Sequence, residues 1–388
     1  MNASTPGARA PRVVIVAGEA SGDQLGAALM AALRQQWPGV QFAGIAGPLM
    51  KAAGCESWQG AEELAVMGLF EIIPHLPRLL RIRRQLLRRV RADPPAVYIG
   101  VDYKEFNLSV ARRLKAAGIR TVQYVSPQVW AWRERRVHRM AAACDLLLCL
   151  LPFEPPFYAK FGVRAQFVGH PLADQIPLDV DRAAARAQLG LAPGVPVVAL
   201  LPGSRRGEVS RLGADFIAAA RQFLLLEPQA QFVAPMATPA VQALFERAGA
   251  RAAGIRLVAG QSRTVLQAAD VALVASGTAT LEALLCRCPM VVAYRLGALT
   301  AWLLRTLRLV RLPYFSLPNL LAGEALVPEF FQQAVQGATL ATALRTQLRD
   351  CAQRQRLTQR FRAIHETLRQ DGAAQAAAAV LALLGEAR

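Results

Sequence analysis

The sequence predicts an α/β protein of two domains, each a parallel sheet with helices packed on it. Three observations carry that expectation. Short apolar runs end in loops of Gly, Ser, Thr and Asp, and each loop opens a helical pattern, as strand–loop–helix units do. The rhythm breaks over residues 177–196, a polar, Ala-rich stretch with Pro and Gly, and then resumes. At 388 residues the chain is long enough for two separate cores. The organisation expected is a disordered tail over 1–11, a first domain over 12–175, a linker over 176–196 and a second domain over 197–345. Helices over 346–388 are expected to pack across domains, or across the subunits of a homodimer.

Val13–Ala17 reads as the first strand, and Gly18-Glu19-Ala20-Ser21-Gly22-Asp23 leads from it into a helix over Gln24–Gln36. The glycines are spaced G-x-x-x-G and not G-x-G-x-x-G, so a dinucleotide is not indicated. Polar side chains at the carboxyl end of a strand stand where open α/β sheets bind ligands. Glu19, Ser21 and Asp23 are therefore candidates, although each also suits a helix cap. Gln41–Pro48 repeats the strand-then-glycine pattern. From Pro77 to Asp93, Leu79, Ile82, Leu86 and Val90 fall at helical spacing among arginines. Such a helix packs its stripe on a sheet, the favoured reading, or lies on anionic lipid.

Ala96–Val101 is a strand whose end presents Asp102, placed as a general base would be, or as a helix cap shared with Glu105 or Asn107. Thr121–Val125 ends in Ser126-Pro127-Gln128-Val129-Trp130-Ala131-Trp132-Arg133, whose indole rings and guanidinium suit a sugar ring or acyl chain. Leu146–Leu150 is another strand, and the first domain closes near Gly169–Asp174. In the linker, Asp179-Val180-Asp181 matches the D-x-D metal signature of some glycosyltransferases, but Asp181 directly precedes a helical run and reads as its cap.

Val197–Leu201 starts the second run, with further strands expected over 231–234, 255–258, 271–274 and 290–293. Pro202-Gly203-Ser204-Arg205-Arg206-Gly207-Glu208 joins a strand to a helix without the G-K-[ST] ending of a Walker loop. Gly203 allows close backbone approach, Ser204 brings a hydroxyl, and Arg205 can pair with phosphate. Ala275-Ser276-Gly277-Thr278-Ala279-Thr280-Leu281-Glu282 repeats the arrangement after 271–274. Its small residues and helix start suit a phosphate, and Glu282, a turn further on, suits ribose hydroxyls; the alternative is a capped helix with Glu282 closing a capping box. Two such loops suggest one diphosphate held between them. Leu296–Leu312 mixes Leu with Arg305, Arg308 and Arg311 and suits an interface, and Asn319 in the following segment is a candidate uracil or phosphate contact.

The net charge is +18, from 45 basic against 27 acidic residues, and only Lys51, Lys104, Lys115 and Lys160 are lysine. Such a charge attracts nucleic acid or an anionic bilayer. No nucleic-acid recognition motif appears and the arginines are spread along the chain, so nucleic acid is not expected as a partner. Six cysteines without metal-site spacing read as reduced thiols of a cytoplasmic protein. Met1–Pro11 lacks the apolar core of a signal peptide, and no run of 18 apolar residues free of charge occurs, so membrane contact would be peripheral.

The segments Ala17–Asp23, Val66-Met67-Gly68-Leu69, Tyr124–Trp132, Leu151–Pro155, Val168–Pro171, Leu201–Arg205, Ala275–Glu282 and Leu317-Pro318-Asn319 occur in an order that resembles the lipid-A-disaccharide synthases. The resemblance implies a GT-B glycosyltransferase, two Rossmann-like domains facing a central cleft, the second holding a UDP-sugar. It implies transfer from UDP-2,3-diacylglucosamine to 2,3-diacylglucosamine 1-phosphate, giving a β-1',6-linked disaccharide 1-phosphate and UDP. No metal and no cofactor are implied, since the UDP-sugar is a substrate. Donor contacts would be Gly203, Ser204, Arg205, Glu208, Ser276, Gly277, Thr278, Ala279, Thr280, Glu282 and Asn319, and Asp102 the catalytic base. Glu19, Ser21, Asp23, Ser126, Trp130 and Arg133 would line the acceptor side. The family's segment after the aspartate reads like Ala-Pro-Asp-Phe-Asn, whereas here it is Tyr103-Lys104-Glu105-Phe106-Asn107, which makes Glu105 a rival base and His170 a third. The acylated substrates give the basic segments a reason to meet anionic lipid on the cytoplasmic face of the inner membrane. A UDP-N-acetylglucosamine 2-epimerase shares the fold, but its soluble substrate gives those segments no purpose.

Overall fold

The structure is a computed structural model and describes residues 10–64, 72–127, 129, 137–297 and 313–386, with the backbone alone at 72–75. Trp130, Arg133, the Val66–Leu69 segment and most of 296–312 lie outside the described residues. The chain divides into two compact units, one formed by 1–174 with 368–388 and the other by 175–367.

The first unit carries strands β1 (Arg12–Ala17), β2 (Gln41–Ala46), β3 (Glu56–Gly60), β4 (Val97–Val101), β5 (Thr121–Tyr124), β6 (Leu146–Cys149) and β7 (Ala165–Phe167). They form one parallel sheet in the order β3-β2-β1-β4-β5-β6-β7. Val13–Ala17 and Val97–Val101 are buried without a break, as strands covered on both faces must be. Side-chain alternation sorts them into two cores. Val13, Ile15, Val97 and Ile99 meet Leu29 and Leu33 of helix Ala20–Gln36 and Val380 and Leu383 of helix Gly372–Gly385. Val14, Val16 and Tyr98 meet Ile82, Leu86 and Val90 of helix Ile72–Ala92 and Val110 and Leu114 of helix Lys104–Lys115. The apolar stripe of the basic helix is thus consumed by the sheet, which leaves arginines outside.

The second unit carries β8 (Val197–Leu201), β9 (Gln231–Met236), β10 (Ile255–Ala259), β11 (Val271–Ala275), β12 (Met290–Tyr294) and β13 (Glu329–Phe331), parallel in the order β10-β9-β8-β11-β12-β13. Residues 176–196 belong to this unit; their helix Arg182–Leu189 is capped by Asp181, whose Oδ1 accepts from the Ala184 N–H at 2.9 Å. Asp179 pairs with Arg287 and Arg362, each at 3.6 Å, so both acids of the D-x-D are engaged by the protein. The C-terminal helices are shared out. Gly337–Arg349 buries Leu340, Leu344 and Leu348 in the second unit, and Gly372–Gly385 returns to the first.

In each sheet the order reverses once, between β1 and β4 and between β8 and β11. At such a point the connections leave to opposite sides, and the gap beyond the carboxyl ends is where open α/β sheets bind ligands. Among the described residues no helix is long and apolar enough to cross a membrane.

Candidate active site

In the first unit the reversal brings the loop after β1 beside the residue that ends β4. The Ser21 hydroxyl donates to Asp102 Oδ2 at 3.2 Å, and Lys104 Nζ stands 4.0 Å from Oδ1. The carboxylate keeps about a quarter of its surface in solvent (23%), so it is held yet reachable. Asp102 and Tyr103 both take positive φ, 49° and 34°, and Val125 at the end of β5 takes 74°. Non-glycine residues in this region store strain, and such residues gather where a side chain must be aimed.

Two buried amides hold the turn. Asn107 Nδ2 donates to the carbonyls of Val16, Val101 and Asp102 at 3.3, 3.3 and 3.0 Å, and its Oδ1 accepts from Tyr98. Gln123 Nε2 also donates to the Asp102 carbonyl, at 3.1 Å. A Cβ on Gly100 would stand 2.7 Å from Asn107 and 2.9 Å from Gln123, so only glycine admits both amides.

The other first-unit candidates divide. Glu19 is exposed at the start of helix Ala20–Gln36. Asp23 departs from the expected acceptor role: it is 3% exposed, and its carboxylate accepts the N–H groups of Leu49 and Met50 at 2.8 and 3.0 Å, capping helix Pro48–Ala52. Ser126 departs likewise. It is buried and donates to the Glu154 carboxylate, which also accepts the Leu151 N–H, because the strand end turns inward there. Glu105 is exposed on the first turn of its helix. His170 Nδ1 accepts from the Leu172 N–H at 3.2 Å, and burial lowers its pKa to about 4, so the ring is neutral at pH 7.

In the second unit the loops after β8 and β11 flank the reversal, with Leu201 and Val274 paired just before them. They differ in what they offer. Glu208 Oε2 accepts the N–H groups of Ser204 and Arg205 at 3.0 and 3.2 Å, so an internal carboxylate fills the first loop. Gly203, at φ 128°, makes room for it, since a Cβ there would run into the Glu208 side chain. The Arg205 side chain is 85% exposed and stands 4.0 Å from Glu208. Glu208 is therefore a wall of the loop, not a group that reaches outward.

The second loop has no such filling. Helix Thr278–Leu285 starts from Gly277, and no side chain among the described residues caps it. Gly277 and Thr278 are exposed and Ala279 half-buried. Ser276 donates to the Phe315 carbonyl at 3.0 Å, and Thr280 is buried with its hydroxyl on the Gly277 carbonyl, so both shape the loop from within. Glu282 does not close a capping box. Its Oε2 accepts from the Ser262 hydroxyl at 2.8 Å and its Oε1 lies 3.7 Å from Arg263.

Asn319 also turns inward. It is 1% exposed, donates to the Val327 carbonyl and Glu329, and accepts the N–H groups of Leu326 and Val327. Glu329 in turn accepts the N–H groups of Phe315 and Ser316 at 3.0 and 2.9 Å, so Asn319 and Glu329 together tie down the segment that Ser276 touches.

A model of the family described as lipid-A-disaccharide synthetase matches residues 13–382. The lipid-A-disaccharide synthase of Pseudomonas putida is 52% identical over 373 residues, covering 96% of this chain and 98% of its own length. The chain belongs to the lipid-A-disaccharide synthase family. The family's enzyme from Alkalilimnicola ehrlichii is 51% identical over 379 residues, covering 96% of this chain and 99% of its own. A solved structure described as a UDP-N-acetylglucosamine 2-epimerase of Listeria monocytogenes matches with TM-score 0.62 at 12% identity, over 95% of this chain and 94% of that one, a likeness of fold alone. The two sheets and helical tail are those of the GT-B fold.

For a member of the lipid-A-disaccharide synthase family, the residues that sequence reasoning missed are those behind the candidates. Lys104 sits in the segment after Asp102, where the sequence differs from the Ala-Pro-Asp-Phe-Asn pattern expected of the family. Gln123, the neighbours Ser262 and Arg263, and Glu329 lie in three separate elements and meet their partners only through the fold. Gly260-Gln261-Ser262-Arg263, a third loop that ends at a helix start, was the available signal for Ser262. Among the described residues no three His, Cys, Asp or Glu side chains are grouped to share a metal ion.

Proposed function

We propose that the chain condenses UDP-2,3-diacylglucosamine with 2,3-diacylglucosamine 1-phosphate to the β-1',6-linked lipid A disaccharide 1-phosphate and UDP. The observation that carries the division of labour is the contrast between the second unit's two loops. An anion needs free amides, and the uncapped start of helix Thr278–Leu285 supplies them where Glu208 has already taken those of Ser204 and Arg205. The diphosphate then rests on the amides of 277–279, and the exposed Arg205 guanidinium closes on it from the neighbouring loop. Glu282, steadied by Ser262 and Arg263, takes the ribose hydroxyls. Asn319 acts by holding its segment in place.

Asp102 is the base of the first unit. Its carboxylate removes the proton from the acceptor's 6-hydroxyl as that oxygen bonds to C1 of the donor sugar, and the C1–oxygen bond to UDP breaks on the opposite side, inverting the anomeric centre. The charge released on UDP is met by Arg205 and the helix start. Among the described residues Glu105 makes no side-chain hydrogen bond or ion pair of the kind by which Ser21 and Lys104 hold Asp102, and His170 Nδ1 already accepts from the Leu172 N–H.

The experiment is direct. The purified protein, given both acylated substrates, should release UDP and disaccharide 1-phosphate in equal amounts. UDP release without disaccharide, or no release, would contradict the reading.

The outward arginines of helix Ile72–Ala92 support a second proposal, peripheral attachment to anionic lipid on the cytoplasmic face of the inner membrane. Co-sedimentation with anionic vesicles should be strong at low salt and fall as salt rises; no binding at low salt would overturn it.

A further inference from the structure

Tyr294 ends β12 and Phe331 ends β13, and the two are paired in register at the carboxyl edge of the second sheet. The residue before each, Ala293 and Phe330, packs with the core of the unit. Alternation along the strands therefore turns Tyr294 and Phe331 to the other face. Phe315 joins them there. Ring centroids lie 5.9 Å apart for Tyr294 and Phe315, 6.2 Å for Tyr294 and Phe331, and 5.9 Å for Phe315 and Phe331, so the three rings form one aromatic shelf.

The shelf is open to solvent and held from behind. Phe331 is 45% exposed, more than any other aromatic side chain among the described residues, and Tyr294 and Phe315 are half-buried. The Phe315 N–H donates to Glu329 at 3.0 Å, and Arg295, next to Tyr294, donates to Asp215 and, at 2.8 Å, to the Val335 carbonyl.

Its place in the sheet points to an occupant. The Phe315 carbonyl accepts from the Ser276 hydroxyl at 3.0 Å, directly before Gly277, so the shelf continues from the loop that offers free amides. Burial raises the pKa of the Tyr294 hydroxyl, and the charges that next act on it are Glu208, Arg211 and Arg205, which sets the shelf beside the first loop as well. Ser262 and Arg263, which steady Glu282, follow β10 at one edge of the sheet, whereas β12 and β13 lie at the other. A nucleoside diphosphate with its ribose at Glu282 and its phosphates at 277–279 therefore turns its far end, the sugar, toward the rings.

We propose that the shelf holds an acyl chain of the sugar donor, laid across Phe331 and Phe315 with Tyr294 on the side of the diphosphate. The donor's sugar is joined straight to the diphosphate and carries its chains at C2 and C3, so a chain starts within one ring of the phosphates. Laying it on the rings removes apolar surface of both from water, and this is what selects an acylated donor over a bare UDP-sugar. The proposal rests on the reading of the second unit as the donor's, and the experiment separates the two.

The probes are UDP and UDP-2,3-diacylglucosamine with two hexanoyl or two decanoyl chains, titrated calorimetrically below their micelle concentrations into the full-length protein. The didecanoyl donor should bind at least about tenfold more tightly than the dihexanoyl one. Phe331→Ser should weaken the didecanoyl donor by about tenfold and leave UDP within about twofold of the parent. Thermal unfolding should not change, since the side chain is exposed. Phe331→Leu, which keeps an apolar surface, should retain most of the affinity for the didecanoyl donor. A loss shared equally by UDP would assign the shelf to the base, and didecanoyl affinity unchanged in Phe331→Ser would put the chain elsewhere; either result overturns the proposal. So would loss of binding to phosphatidylglycerol vesicles with donor affinity intact, which would make the shelf a membrane contact. A parent protein that does not bind UDP would overturn the donor reading itself, and the shelf with it.

Discussion

The side-chain amide of Asn107 donates to the main-chain carbonyl of Asp102 at 3.0 Å. Through the same nitrogen it grips the ends of β1 and β4, so together with Gln123 it braces the strained turn that carries Asp102. Asn107→Asp keeps the shape but puts a second acceptor against three carbonyls. We expect a stability loss of about 1–3 kcal/mol and a fall in kcat with little change in KM for the UDP-sugar. Urea unfolding and steady-state kinetics check both; a normal kcat would show that Asp102 is aimed without Asn107.

Glu208 and Arg205 make different demands on the second unit. Removing the carboxylate in Glu208→Ala leaves the Ser204 and Arg205 amides without their acceptor and the loop without its wall. UDP affinity should then weaken by about tenfold, roughly 1.4 kcal/mol. Arg205→Gln removes a charge that acts on the leaving diphosphate, so kcat should fall by about 100- to 1,000-fold. Calorimetry with UDP and kinetics separate the two. Equal effects on kcat from both variants would mean that Glu208 also acts on the leaving group.

The pH dependence of stability should carry the mark of His170. Burial lowers its pKa to about 4, below the ordinary value of 6.5, so the unfolded chain binds a proton more readily. The stability this neutral ring contributes is complete above pH 6.5 and is lost as pH falls toward 4, amounting to roughly 3 kcal/mol. His170→Gln should flatten the urea midpoint between pH 7 and pH 5 relative to the parent. An unchanged slope would show that other groups set it.

Asn319 offers a test of a residue turned from contact to support. Asn319→Ala breaks four internal hydrogen bonds in a buried site and leaves the Leu326 and Val327 amides unmet. We expect a loss of about 2–4 kcal/mol in stability, seen as a lower thermal midpoint, with UDP affinity reduced through disorder of the segment that Ser276 touches. A variant of normal stability with weakened UDP binding would restore the direct contact.

The strands were legible because parallel sheets demand unbroken apolar runs, and Val13–Ala17, Val197–Leu201 and Val271–Ala275 supply them. The loops were legible because polar and small residues follow strand ends, which is how Asp102 at the end of β4 and Gly277 after β11 were singled out as candidates. The pointing of polar side chains was not. Asp23, Ser126 and Asn319 lie in the same loops as the true surface groups, and a shift of one or two positions along a turn decides whether a side chain faces solvent or an orphan amide. Asp23 finds the start of helix Pro48–Ala52, and Asn319 finds Glu329, partners 27 residues or fewer away in sequence yet fixed only by tertiary packing. The direction of Glu208 was hidden for a related reason, since a carboxylate three residues beyond Arg205 can reach outward or, as here, fold back on the amides of its own loop.

The most direct measurement is made on Asp102→Asn. Asparagine keeps the size of the side chain and accepts from Ser21, but it cannot take up a proton. Disaccharide formation should fall by at least about 100-fold, while calorimetric affinity for UDP stays within twofold of the parent. Turnover close to that of the parent, with UDP binding intact, would contradict Asp102 as the base and pass the role to another group.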